Sequence, residues 1–200
     1  MSKKRKRRRQ KVLIARFIFA MFVVLIMGLL VVGGFSMVKK FSESKDRDIE
    51  VSTLIFEKNG GIKQVIVEDF DPSLYDEAGL RAMIEEELSR FGKAIDMDSL
   101  EVEDGKAKLT LLYDDVQVCA NFNGISLYAD TIDDLKKKGV NFPGDALLAE
   151  GKNAVILSAS TDVIVPKKIR YSSPGVTVDQ DDERHASVIV ESGKNALIIY

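Results

Sequence analysis

Tryptophan is absent from this 200-residue chain, and cysteine and histidine occur once each. One thiol cannot close an internal disulfide. A lone thiol with a lone imidazole cannot supply the ligand set of a structural zinc site. Missing tryptophan removes the best platform for stacking sugars, although tyrosines remain, Tyr113, Tyr128, Tyr171 and Tyr200 among them. No Gly-rich phosphate loop joins a strand to a helix, because Gly60-Gly61 falls in a hairpin. No serine stands in a Gly-x-Ser-x-Gly setting. A domain of about 150 residues buries roughly 70% of its unfolded surface, so it holds together without a cross-link.

Charge is present but sharply segregated. Residues 1–16 carry nine Lys or Arg and no acid, whereas residues 41–200 carry 18 basic and 31 acidic side chains. From Phe17 to Val38 there are 22 consecutive uncharged residues, mostly Phe, Val, Leu, Ile, Met and Gly. As a helix that run is about 33 Å long, enough for the roughly 30 Å hydrocarbon core of a bilayer. Lys3, Lys4, Arg5, Lys6, Arg7, Arg8, Arg9, Lys11 and Arg16 precede it, while Lys39 and Lys40 are soon offset by Glu43, Asp46, Asp48 and Glu50. The bias keeps the N-terminus in the cytoplasm and places residues 51–200 outside, with the basic tail against anionic headgroups. A basic run next to a spanning helix reads as a topogenic signal, and no nucleic-acid partner is expected of so acidic a domain. Gly34-Phe35-Ser36 resembles a cleavage site, but the apolar run exceeds the ~7–15 residues of a signal peptide. The expected organisation is a basic cytoplasmic tail over 1–16, a transmembrane helix over 17–38, a polar tether over 39–50 and an extracytoplasmic domain over 51–200.

Periodicity gives that domain an α+β character, mainly antiparallel with two or three short helices. Ser52–Glu57 and Ile62–Glu68 read as strands around a turn at Asn59-Gly60-Gly61. Asp71-Pro72 reads as a helix start, with Leu80, Met83, Ile84, Leu88 and Phe91 at helical spacing and Gly92 as the stop. Leu100–Glu103 and Lys106–Tyr113 flank Asp104-Gly105, a second hairpin. Asp114–Phe122 fits a short helix or a loop, and Ile125–Ala129 fits a strand. Thr131 caps a helix over Ile132–Lys138 closed by Gly139, with Lys136, Lys137 and Lys138 in the last turn. Ala154–Ser158, Asp162–Arg170, Val176–Val178, Ala186–Glu191 and Ala196–Tyr200 complete the strands, with Pro166 marking its strand as an edge or bulged one.

No residue qualifies as catalytic, cofactor-binding or metal-ligating. His185, in Asp181-Asp182-Glu183-Arg184-His185, reads as an exposed residue at a hairpin tip. Cys119 lies in the apolar stretch Val116–Ala120 and reads as a small buried hydrophobe. Glu85, Glu86 and Glu87 fan around their helix and make a solvated face. The pairs Asp114-Asp115, Asp133-Asp134 and Asp181-Asp182 leave open a carboxylate hydrolase acting on wall polymer or peptide. Asp96, Asp98, Glu101, Glu103, Asp104 and Gly105 leave open a calcium-responsive module, although Leu111 stands where an EF-hand needs its final Glu. A division-type bitopic protein would show heptads after the membrane helix, and residues 39–70 show none.

The run Gly105-Lys106-Ala107-Lys108-Leu109-Thr110-Leu111, then Phe122-Asn123-Gly124, Thr131 with its helix, Val165-Pro166-Lys167-Lys168-Ile169-Arg170-Tyr171 and Gly175-Val176-Thr177-Val178 resemble small envelope proteins of clostridia-type Gram-positive bacteria. The resemblance covers about residues 50–200. It implies an extracytoplasmic location and no assigned activity; many such proteins look like lipoproteins, whereas this chain departs by using an uncleaved helix. The expected function is non-catalytic binding or assembly in the cell envelope, with membrane lipid and another envelope protein as partners.

Overall fold

A computed structural model of the chain describes residues 49–71 and 76–200. The basic tail, the apolar run 17–38, most of the tether and the helix start at Pro72 lie outside the described residues. Among the described residues no helix is long and apolar enough to cross a membrane.

Among the described residues, eleven strands and three α-helices follow in an α+β order: β1 (Thr53–Phe56), β2 (Ile62–Asp69), α1 (Glu77–Leu88), β3 (Ile95–Glu103), β4 (Lys106–Tyr113), α2 (Val116–Asn123), β5 (Leu127–Thr131), α3 (Ile132–Lys137), β6 (Asn153–Leu157), β7 (Thr161–Ile164), β8 (Tyr171–Ser172), β9 (Val176–Val178), β10 (His185–Val188) and β11 (Ala196–Ile199). The strands form a seven-stranded sheet ordered β3-β4-β2-β1-β7-β10-β9 and a four-stranded sheet ordered β5-β6-β11-β8. All pairings are antiparallel except β1 with β7.

Local chemistry sets the boundaries. Asp104 and Gly105 both take positive φ, 50° and 73°, the geometry that matches a two-residue turn to the twist of β3 and β4. Asp76 caps α1 by accepting from the Gly79 amide at 2.6 Å, so the helix begins past the Asp71-Pro72 pair. Asp115 caps α2 through the Val118 amide, and Gly124 ends it in the left-handed conformation. Residues 116–123 are therefore helix. The Thr131 hydroxyl accepts from the Asp134 amide and donates to the Asp134 carboxylate, starting α3 where the sequence placed it. β7 stops at Ile164, ahead of Pro166, and lies between β1 and β10. Pro166 thus terminates an interior strand and marks neither an edge nor a bulge.

Pairing register assigns the faces, since residues opposite each other point the same way. On the large sheet, Leu54, Phe56, Ile62, Ile95, Leu111, Tyr113, Val163 and Ala186 share the core face, and all are buried. On the small sheet, Leu127, Val155, Leu157, Ala196 and Ile198 form one buried face. The other carries Ala154, Leu197 and Ile199, packed with Leu135 of α3 and with Ala146; Ile132, Val140, Phe142, Ala149, Ile156 and Tyr171 pack against this cluster.

Candidate functional site

The most distinctive titratable constellation is built on the strand pairing of β7, β10 and β9. His185 opens β10, and its register places it across from Ile164, beside Asp162. Its Nε2 lies 2.9 Å from Asp162 Oδ2 and its Nδ1 3.4 Å from Asp179 Oδ2. The three side chains are only 12%, 19% and 15% exposed. His185 is therefore no exposed residue at a hairpin tip: the chain has already entered the sheet when it reaches this residue. Burial alone would lower its pKa, but hydrogen bonds and charge from Asp162 and then Asp179 outweigh burial and raise it. A ring with a carboxylate at each nitrogen is satisfied only when both nitrogens carry protons, so the imidazolium is the favoured form.

The connecting loop is braced around this clamp. Asp179 Oδ1 accepts from the Asp181 amide at 2.7 Å. Asp182 accepts from the backbone amide and side chain of Arg184, which lowers its pKa against the opposing effect of burial. The His185 amide donates to the Asp182 carbonyl, and its own carbonyl accepts from the Asp179 amide. Of the Asp181-Asp182 pair, only Asp182 uses its carboxylate here, to hold an arginine, while Asp181 enters the turn through its backbone amide.

A second polar cluster is buried between the large sheet and α2. Tyr113 donates its hydroxyl to Gln64 Oε1, which also accepts from Asn123 Nδ2 at 3.1 Å. Gln64 Nε2 donates to Asn123 Oδ1 at 3.0 Å, and Asn123 Nδ2 reaches the Cys119 carbonyl at 2.9 Å. Cys119 has no exposed surface, and burial pushes its thiol up to about 12 despite a contact from Asn123. It packs as the small hydrophobe its apolar neighbours suggest. Burial, with the nearby thiol, also raises the Tyr113 phenol, which stays protonated as a donor. Phe122 stacks at an angle on both Tyr113 and Phe91, closing the cluster. The Thr110 hydroxyl on the opposite face of β4 is buried without a hydrogen-bond partner.

The remaining acidic candidates stay apart. Asp96, Asp98, Glu101 and Glu103 are exposed along β3, where a bulge between Met97 and Ser99 shifts the register. Asp104 forms its turn with Gly105. Among the described residues no group of three or more His, Cys, Asp or Glu is placed to hold a metal ion. Asp115 and Asp134 serve as helix-capping groups. Glu85 and Glu86 are exposed, and Glu87 pairs with Arg90 at 2.9 Å. Lys137 and Lys138 bind Asp134 and Asp130 at 2.7 and 2.8 Å, so the last turn of α3 is an ion-pair site as well as a helix C-terminus.

The chain matches no protein-family model, no curated protein and no solved structure. Among the described residues the most exposed large apolar side chain is Leu148, at 85%, beside Leu147 at 45%. Tyr128, 44% exposed, lies on the face of the small sheet that α3 and the 140–149 segment cover. The sequence hides this feature, because Ala146-Leu147-Leu148-Ala149 reads equally well as core until burial is known.

Proposed function

We propose that the chain is a single-pass membrane protein whose C-terminal α+β domain is held outside the cytoplasm and serves non-catalytic binding or assembly in the cell envelope. The observation that carries this reading is the 22-residue uncharged run Phe17–Val38 behind nine basic residues. Support for binding over catalysis comes from how the reactive side chains are used. Cys119 is sealed in the core, both nitrogens of His185 face carboxylates, and Gln64, Tyr113 and Asn123 satisfy one another. The resemblance to small clostridia-type envelope proteins agrees with this placement, with bilayer lipid and another envelope protein as partners.

Protease added to intact spheroplasts tests the topology. The expected result is digestion down to a short membrane-embedded N-terminal fragment. Full protection of the domain, or recovery of the intact chain in the soluble fraction, overturns the proposal. Pull-down from cross-linked membranes tests the binding role, which predicts a stoichiometric envelope partner; recovery of none counts against it.

A further inference from the structure

We propose that the Ala146–Leu148 turn is a bilayer-contact site, with Leu147 and Leu148 seated among lipid acyl chains at the membrane surface. This deepens the reading above and rests on the chain being anchored.

The two leucines are displayed by a braced turn. Ala146 is fully buried in the cluster beneath the small sheet, and Asp145 accepts from the Ala146 amide and from the Tyr171 hydroxyl. The Leu147 amide donates to the Pro143 carbonyl, that of Leu148 to Asp145, and that of Ala149 to Ala146. Gly151 then passes so close to the C-terminal strand that a Cβ there would collide with the Ile199 side chain and press on the Tyr200 backbone. The turn is fixed at each end, and its outward pair is as apolar as side chains can be. Solvent exposure of two adjacent leucines in a rigid setting is unfavourable unless something apolar meets them.

The length of chain preceding the domain points to the bilayer as that occupant. Ile49 is buried in the domain, so only residues 39–48 separate it from the apolar run. Ten residues reach at most about 35 Å, comparable with the width of a domain whose radius of gyration is about 15 Å. The domain is thereby kept at the membrane surface at high effective concentration, where a contact of two leucines is sufficient to select its orientation. Charge chooses the side. The exposed acids Asp96, Asp98, Glu101 and Glu103 of β3 are repelled by anionic headgroups, whereas on α3, packed against the same cluster as Ala146, Lys136, Lys137 and Lys138 are matched by Asp130, Asp133 and Asp134 and leave that end close to neutral. Tyr128 on that sheet face is a residue type favoured at the headgroup level.

The natural absence of tryptophan makes the test specific. Full-length L148W and I189W proteins are reconstituted separately into vesicles of anionic lipid whose acyl chains are brominated. Ile189 is 62% exposed at the end of β10 and reports a different part of the surface. The expected result is a blue-shifted emission for L148W that loses most of its intensity to bromine, with I189W unshifted and unquenched. An L147W/L148D protein, checked for unchanged circular dichroism, is expected to lose the quenching. An unquenched L148W overturns the proposal, as does a blue shift without quenching, which would mean cover by a second copy or by another protein. Equal quenching of I189W also overturns it. Vesicle flotation reads the anchor independently: a protein that floats with L148W unquenched removes the contact and keeps the anchor, and one that fails to float removes both.

Discussion

The two sheets solve the problem of burial differently. The small sheet is apolar on both faces: all four residues of β11 are buried, and Ala154, Val155 and Leu157 of β6 have no exposed surface. The large sheet places polar groups at depth, with Thr53, Gln64 and Thr110 buried and the Asp162–His185–Asp179 clamp half-sunk at its β7–β10 side. A sheet buried on both faces gains stability from area alone. The large sheet adds directional constraints wherever a buried polar group depends on its partners, as Gln64 does on Tyr113 and Asn123, with Thr110 the exception. Mutations should therefore cost the small sheet by volume and the large sheet by connectivity.

The largest effect should come from Ile198→Ala in β11, which empties a fully buried site between β6 and β8. We expect a loss of about 4 kcal/mol in urea unfolding. A loss below about 1 kcal/mol would show that the small sheet is not the rigid element its packing suggests. Next comes His185→Gln, which leaves Asp162 and Asp179 facing a neutral side chain and should cost about 2 kcal/mol under mildly acidic conditions. Because the folded pKa of His185 lies above its ordinary 6.5, the stabilisation is complete below that value and fades as pH rises through the raised one. The difference between wild type and H185Q should accordingly shrink with rising pH, and a difference that grew would reverse the assignment of charge. Asn123→Ala, which strands Gln64 in the second cluster, should cost about 1.5 kcal/mol. Smallest, and opposite in sign, is Thr110→Val: removing an unpartnered buried hydroxyl without changing shape should raise stability by up to about 1 kcal/mol. A clear loss on that substitution would mean that the hydroxyl has a partner in solution.

Much of the large sheet was legible where a turn announced itself. Asn59-Gly60-Gly61 and Asp104-Gly105 predicted two hairpins, and both form. Thr131 and Gly139 bracketed α3 for the same reason, since capping is written in adjacent residues. The first half of β3 escaped notice because the bulge at Met97/Ser99 breaks the alternation that would have revealed it. β8 is two residues long and has no period to detect. The clamp at His185 was hidden for a deeper reason. Asp162 is 23 residues away, and only the pairing of β7 with β10 brings it to the ring. Asp179 is nearer in sequence, but it reaches the ring because it follows the end of β9 directly and its amide stays bonded to the His185 carbonyl on β10. Composition made the histidine look incidental; register made it a junction.

The pairing of β1 with β7 has a consequence for how the molecule comes into being. Thr53 finds Asp162 only after more than a hundred intervening residues have been made, so the middle of the large sheet is among its last seams to close. β11 arrives later still and must insert between β6 and β8. Nascent chains stalled before either strand would be left with greasy, half-paired edges, making the interval before β7 and β11 emerge the moment at which this protein is most prone to clump and most in need of a chaperone.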